Sequence, residues 1–460
     1  MTTRASRRRF LKTASLMSIA GAASPFALNL ASISAASAQS APGYRAVVCL
    51  FLLGGNDHTN TFIPYDQPSY NEYFAARDSI AIARDQLAAT ASGAVVSQGG
   101  REFAFHPALT SFKTRWDEGK LAVVANVGPL VVPTTKTQYQ QRSVPLPPKL
   151  FSHNDQQSAW QADEPLGEGA SLGWGGRLGD LLASQNATSA FTCISASGNA
   201  VFLSGANVIQ YQVSSSGPVS ISGLSGTLYG SASATTAYRS LLTRSTGGAN
   251  LFEDQLGVVT GRSITANEQL GATLPAASTL IPAIPANNSL ASQLNVVARI
   301  IAARAALGMG RQVFFVSLGG FDHHDFLLTQ HVDRLTLVNA AVDAFYAWLV
   351  QLGVQNDVTL FTASDFGRTL TSNGDGSDHG WGSHHFVLGG SVLGRDVYGT
   401  FTPTSFGTSV DVGQGNTIPG IAVDQYAATF ARWLGVSDTD VPLALPNVVH
   451  FGTSRYLAFL

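Results

Sequence analysis

Three short apolar runs in this chain end in the same way, in small residues followed by an aspartate. Residues 46–53 lead into Gly54-Gly55-Asn56-Asp57, residues 313–318 into Gly319-Gly320-Phe321-Asp322, and residues 358–362 into Ala363-Ser364-Asp365. Unbroken Val, Leu and Phe runs without alternation belong to strands covered on both faces, and such strands build parallel sheets with helices on each side. Between the second and third runs, Leu328, Val332, Leu335, Val338, Val342, Phe345, Leu349 and Leu352 recur at helical spacing, and Gly353 suits the stop. The pattern predicts a strand-helix-strand unit. A second helix is expected around Leu109, Phe112 and Trp116 before a strand over 121–127, and a third over 424–434 ending at Gly435. The fold class expected is therefore α/β, with a central, mainly parallel sheet and helices on both faces. The stretch 195–289 is rich in Ser, Gly, Ala and Thr and reads as an elaboration on that sheet. It is expected to hold a small β-rich excursion over 201–224, then mobile loops.

Ligands of an open parallel sheet bind outside the carboxyl ends of its strands, so aspartates placed just after three such strands should converge. Oxygen donors from Asp57, Asp322 and Asp365, joined by imidazoles, suit one or two divalent ions; imidazole favours Zn²⁺, whereas Mn²⁺, Mg²⁺ or Ca²⁺ favour the carboxylates. The imidazoles are at hand in Asp322-His323-His324 and Asp378-His379, and six of the ten histidines fall between His323 and His385. An aspartate after a strand also serves as a helix N-cap or turn former. His323 and His331 read equally well as solvated residues, and His106 as a residue at a helix start. His384 and His385 should point to opposite sheet faces, so at most one of them faces the site. His450 gives no signal.

Phe151-Ser152-His153-Asn154-Asp155 opens a predicted helix, whose end offers backbone N–H groups and a positive dipole to an anion. Ser152 is the candidate nucleophile, yet Ser-x-x-Asp is also a capping pattern. His153 suits a metal ligand, a proton donor or a supporting residue. Arg177 and Arg368 are the cationic candidates for a phosphate or sulfate group, or else structural ion-pair members.

The amino-terminal segment Ser6-Arg7-Arg8-Arg9-Phe10-Leu11-Lys12, a weakly apolar stretch and Ala36-Ser37-Ala38 together read as a twin-arginine signal peptide over residues 1–38. Residues 39–460 would then be a single exported domain, periplasmic or secreted. No later segment approaches the ~20 apolar residues of a transmembrane helix. Loss of residues 1–38 removes five of the 27 basic residues and none of the 29 acidic ones, leaving a net charge of −7. Such a surface lacks the clustered basic face that nucleic acid requires. Only Cys49 and Cys193 occur, and Cys49 lies in an apolar run as a small core residue would. No dinucleotide fingerprint or haem-attachment motif points to redox chemistry.

The same residues carry a resemblance that runs nearly from end to end. Leu53-Gly54-Gly55-Asn56-Asp57, His106-Pro107-Ala108-Leu109, Ser152-His153 with Trp160, Gly319-Gly320-Phe321-Asp322-His323-His324, Ser364-Asp365-Phe366-Gly367-Arg368-Thr369, Asp378-His379-Gly380-Trp381-Gly382 and Trp433-Leu434-Gly435 are its landmarks. On them the chain resembles a large exported bacterial family known only as a domain of unknown function, a branch of the alkaline-phosphatase-like superfamily of phosphatases, sulfatases and phosphomutases. The resemblance implies an alkaline-phosphatase-like fold and two metal ions beside a nucleophile at a helix start. Asp57, Asp322, His324, Asp365 and His379 match the ligand positions, while Ser152, His153 and Arg368 stay the catalytic candidates read from the residues. Where many relatives have Asp-His or Asp-Asn, this chain has Asp365-Phe366, which removes one donor.

These readings lead to an exported metal-dependent hydrolase or transferase of a phosphate or sulfate ester, with Ser152 or a metal-bound hydroxide attacking. The reading from another class is an exported metal-binding or assembly protein without turnover. A substrate linked to a polysaccharide and an exported protein partner are both compatible with either.

Overall fold

The computed structural model describes residues 43–164 and 169–460. The twin-arginine segment and its cleavage point after Ala38 lie outside the described residues. Nine strands form the central sheet: β1 (Arg45–Leu53), β2 (Leu121–Gly128), β3 (Cys193–Ser195), β4 (Tyr211–Gln212), β5 (Arg311–Gly319), β6 (Val358–Ser364), β7 (Ser383–Gly389), β8 (Val397–Tyr398) and β9 (Ile421–Ala422). Their order is β8-β2-β7-β6-β1-β5-β3-β4, with β9 also against β2. All pairings are parallel except those of β7, which runs antiparallel to both β6 and β2. The three apolar runs noted in the sequence are the adjacent central strands β6, β1 and β5.

Those runs show no polar alternation because both sides of the sheet are covered. In β1, Val48, Leu50 and Leu52 enter one core, and Val47, Cys49 and Phe51 enter the other. Successive side chains of a strand point to opposite faces, so a continuous apolar sequence supplies two cores at once. On the first face lie α1 (Thr110–Asp117), α4 (Ser289–Ala302) and α5 (Leu327–Gln351); on the second lie α2 (His153–Ala162), α3 (Trp174–Leu182) and α6 (Val423–Leu434). Gly353 (φ 67°) and Gly435 (φ 97°) follow α5 and α6 in the left-handed region that ends a helix. Each Leu or Phe withdrawn from water here contributes about 1.5–3 kcal/mol.

The stretch 195–289 departs from expectation. After the short strand β4 it holds two helices, Ala232–Leu242 and Leu251–Thr273, where loops were expected. Ser231 accepts from the N–H of Ala234, and Asn250 accepts from those of Phe252 and Glu253. Side-chain caps of this kind start a helix even where the hydrophobic pattern is faint. Cys49 and Cys193 are both buried free thiols. Among the described residues, no helix is long and apolar enough to cross a membrane.

Parallel register brings the three strand ends level, with Leu53 opposite Gly319 and Leu52 opposite Ser364. The edge above them is completed by the start of α2 and by a hairpin of Arg368–Ser372 and Ser377–His379, in which Arg368 pairs with His379.

Candidate metal centre

Gly54 (φ 117°) and Gly55 (φ 83°) turn the chain sharply after β1. A Cβ on Gly54 would lie 2.5 Å from the Asp322 backbone nitrogen, so the absence of a side chain lets the β1 and β5 turns touch. That contact sets Asp322 at the strand edge.

Asp322 is the hub of the site, with its side chain 44% exposed. Its Oδ2 lies 3.3 Å from His153 Nε2; its Oδ1 lies 3.1 Å from His324 Nε2 and 3.3 Å from His379 Nε2. His324 Nε2 and His379 Nε2 are 2.9 Å apart. His153, Asp322 and His379 each offer a ligand atom, all within 4.8 Å of one another. The far nitrogen of each imidazole is anchored: His153 Nδ1 to Asp365 Oδ2 at 2.7 Å, His379 Nδ1 to the Phe151 carbonyl at 2.7 Å, and His324 Nδ1 to Asp378 Oδ1 at 3.1 Å. Among the described residues, the buried His153 Nε2 has no hydrogen-bond partner. Two imidazoles and a carboxylate around a side open to solvent are donors that suit a catalytic divalent ion.

The electrostatics follow from these contacts. The hydrogen bond to Asp365 raises His153 above the ordinary imidazole range, against its partial burial. Burial lowers His379. Burial pushes Asp322 upward, but the hydrogen bond and charge of Arg368 outweigh it and leave the carboxyl below its usual value. Arg368 is fully buried and turned inward. It donates to the carbonyls of Gly55 and Ser377 at 2.9 Å each, to those of Gly54 and Phe321, and to Asp322.

Residues 44–441 match the family described as "Protein of unknown function (DUF1501)". The chain belongs to this family. No curated protein matches it. Among solved structures, it is 8% identical to Ps i-CgsB, solved with k-i-k-neocarrahexaose, at a TM-score of 0.35, covering 87% of this chain and 74% of that one. It is 8% identical to the lipoteichoic acid synthase LtaP from Listeria monocytogenes at a TM-score of 0.33, covering 86% and 72%. A Bacteroides thetaiotaomicron structure from work on the metabolism of multiple glycosaminoglycans is 9% identical at a TM-score of 0.35, covering 88% and 74%.

Of the residues singled out in this DUF1501 chain, Asp322, His324, His379, His153, Asp365 and Arg368 come together at the strand edge. Asp57 stands apart. It is fully buried and paired with Arg77, its Oδ1 accepts from the Asn60 N–H at 3.1 Å, and its Oδ2 accepts from Ser377 Oγ at 3.3 Å. It caps the four-residue helix His58–Thr61. Arg77 outweighs the cost of burial and holds the Asp57 carboxyl at about 2. Ser152 is half-buried at the start of α2, but its hydroxyl donates to Asp155 Oδ2 at 2.6 Å and makes no backbone cap. Arg177 serves the carbonyls of Ala444 and Ala162 and the carboxylate of Glu164. His384 and His385 do face opposite ways, the first against Phe401 and the second against Trp160 and Tyr426. His323 and His331, for which solvation was one of the readings, are each 1% exposed and pack against each other. Helix α5 carries His331 on its inward side, a placement that the residue types alone do not reveal.

Three further participants were not among the candidate site residues. Gln157, one turn after His153, donates to Asp365 Oδ2 at 2.8 Å. Asp378 anchors His324, and its position beside His379 was the available hint. Arg77 belongs to the helix Gln67–Arg77 and meets Asp57 only through the fold.

Proposed function

We propose that this protein is an exported, metal-dependent hydrolase or transferase acting on a phosphate or sulfate ester. The observation that carries this reading is the convergence of His153, Asp322 and His379 at the carboxyl edge of the sheet, beside the start of α2. A divalent ion held there would polarise an ester oxygen and offset the charge that develops on it. The protein supplies the rest of the arrangement. Asp365 and Gln157 hold the His153 ring in place, Arg368 steadies Asp322, and the α2 start offers N–H groups to an anionic ester. Ser152 remains the proposed nucleophile, with Asp155 placed 2.6 Å away to accept its proton. Export through the twin-arginine route rests on Arg7 and Arg8, and replacing both with Lys should leave unprocessed precursor in the cytoplasm.

One observation favours the second reading, an exported metal-binding or assembly protein without turnover. Both arginines marked for anion recognition are engaged elsewhere, Arg177 around Glu164 and Arg368 among backbone carbonyls. Metal content of the exported protein, measured beside a panel of aryl phosphates and aryl sulfates, separates the two. Metal with turnover that Ser152→Ala abolishes supports the enzyme; metal without turnover on any ester supports the binding protein.

A further inference from the structure

We propose that the site binds a single imidazole-preferring divalent ion of the zinc type, held by Asp322, His153, His324 and His379, with Asp57 and Asp365 outside the ligand set. This rests on the reading of the strand edge as a metal centre and differs from the two-ion arrangement that the family resemblance implies.

The argument begins with hydrogen-bond polarity. The Phe151 carbonyl can only accept, so His379 Nδ1 must donate to it. Asp365 and Asp378 accept as carboxylates, so His153 Nδ1 and His324 Nδ1 donate as well. A neutral imidazole whose Nδ1 carries the proton presents a lone pair at Nε2. Three Nε2 lone pairs thus converge on the Asp322 carboxylate, two of them 2.9 Å apart. Lone pairs so close repel unless a proton or a metal ion lies among them, and a single metal ion would satisfy all three at once. Donors about 2.0–2.2 Å from a tetrahedral zinc lie roughly 3.3 Å from each other. Four of the six pairs among these residues make donor contacts of 2.9 to 3.3 Å, and the donors of His153, Asp322 and His379 all lie within 4.8 Å of one another. A three-imidazole set selects zinc, cobalt, nickel or copper over magnesium or calcium, which prefer oxygen.

The two remaining aspartates are already committed. Asp365 accepts from His153 Nδ1, from Gln157 Nε2 at 2.8 Å and from the Gly54 N–H at 3.1 Å, the arrangement by which a carboxylate orients a metal-binding histidine. Asp57 is saturated by Arg77, Ser377 and the Asn60 N–H, and Arg77 is itself fully buried with further bonds to the carbonyls of Thr369 and Leu370. The Arg77 and Arg368 guanidiniums therefore stand as fixed cations where a second ion would need open carboxylate oxygens. Phe366 fills the place of a further donor, its ring centroid 4.9 Å from that of His153 and 4.6 Å from that of His379.

The test is titration of chelator-stripped full-length protein with zinc alone, read by calorimetry and metal analysis, and with cobalt, read by visible absorption. One ion per chain is expected, with the intense cobalt bands of a four-coordinate site and no displacement by millimolar magnesium or calcium. His324→Ala and His153→Ala should each weaken zinc at least tenfold. Asp365→Asn should weaken it about 10–100-fold with the stoichiometry kept at one, as expected of a residue that orients a ligand. Asp57→Asn should leave both stoichiometry and affinity unchanged; where that variant does not fold, the wild-type stoichiometry and the His324→Ala result decide. Two ions per chain, unaltered affinity in His324→Ala, or zinc lost in folded Asp57→Asn would overturn the single-ion proposal while the metal centre stands. No zinc bound by the wild type would remove the metal centre itself.

Discussion

Asp57 and Asp322 follow neighbouring strands of one sheet, each after a turn with paired glycines, yet they have opposite surroundings. Asp57 is fully buried against Arg77 and its oxygens are taken; Asp322 is 44% exposed and ringed by imidazoles. The strand and its turn deliver a carboxylate to the edge in both cases. What the carboxylate then does depends on the segment that covers it, the helix Gln67–Arg77 for Asp57 and α2 with the Ser377–His379 strand for Asp322.

The comparison breaks most sharply under truncation. Asp57→Ala leaves the buried Arg77 charge without its partner and should cost about 3–5 kcal/mol in denaturant unfolding. Asp322→Ala also takes the carboxylate partner from buried Arg368, but Asp322 is 44% exposed and Arg368 keeps its backbone carbonyls, so a smaller loss of about 1–3 kcal/mol is expected in the metal-free protein, with tight zinc binding abolished. Equal stability losses in the two variants would erase the distinction. Gly54→Ala comes next, since the added methyl meets the Asp322 backbone and the residue has φ 117°. A loss of about 1–3 kcal/mol is expected, with weaker zinc binding as Asp322 is displaced.

Acid titration sharpens the contrast further. Arg77 holds Asp57 at about 2, below the ordinary aspartate value of 3.8, so the folded chain binds this proton less readily than the unfolded chain. The resulting stability is present above about pH 4 and is lost as pH falls toward 2, a change of about 2 kcal/mol. Asp57→Asn should lack that component of the pH–stability curve.

The smallest effect concerns a carboxylate pair that titrates in the other direction. Asp163 and Asp424 are buried together, and burial and then mutual repulsion raise Asp163, while burial raises Asp424. A raised carboxyl contributes stability below about pH 4 that is lost as pH rises. Asp424→Asn should therefore gain about 1 kcal/mol near pH 8 and little near pH 4. A thermal unfolding series that found Asn less stable at pH 8 would refute this.

The strands β1, β5 and β6 and the helix α5 were legible in the sequence because their patterns are local: period and run length report burial on one or two faces. The caps of the helices Ala232–Leu242 and Leu251–Thr273 are local too, but a Ser- and Gly-rich composition masked them. The residue types of the site were equally visible, since Asp322, His324 and His379 stand in short motifs after or beside strands. Their roles were not. Whether an aspartate meets an arginine or an imidazole depends on residues far along the chain: Arg77 is 20 positions from Asp57, and His153 is 212 from Asp365. Such pairs form only when the sheet and its covering helices are assembled. The sequence by itself therefore determined that carboxylates and imidazoles would reach one edge of a parallel sheet. Tertiary packing alone decided which arginine-paired carboxylate is enclosed and which stays open to solvent, because desolvation and partner charge are properties of the assembled environment.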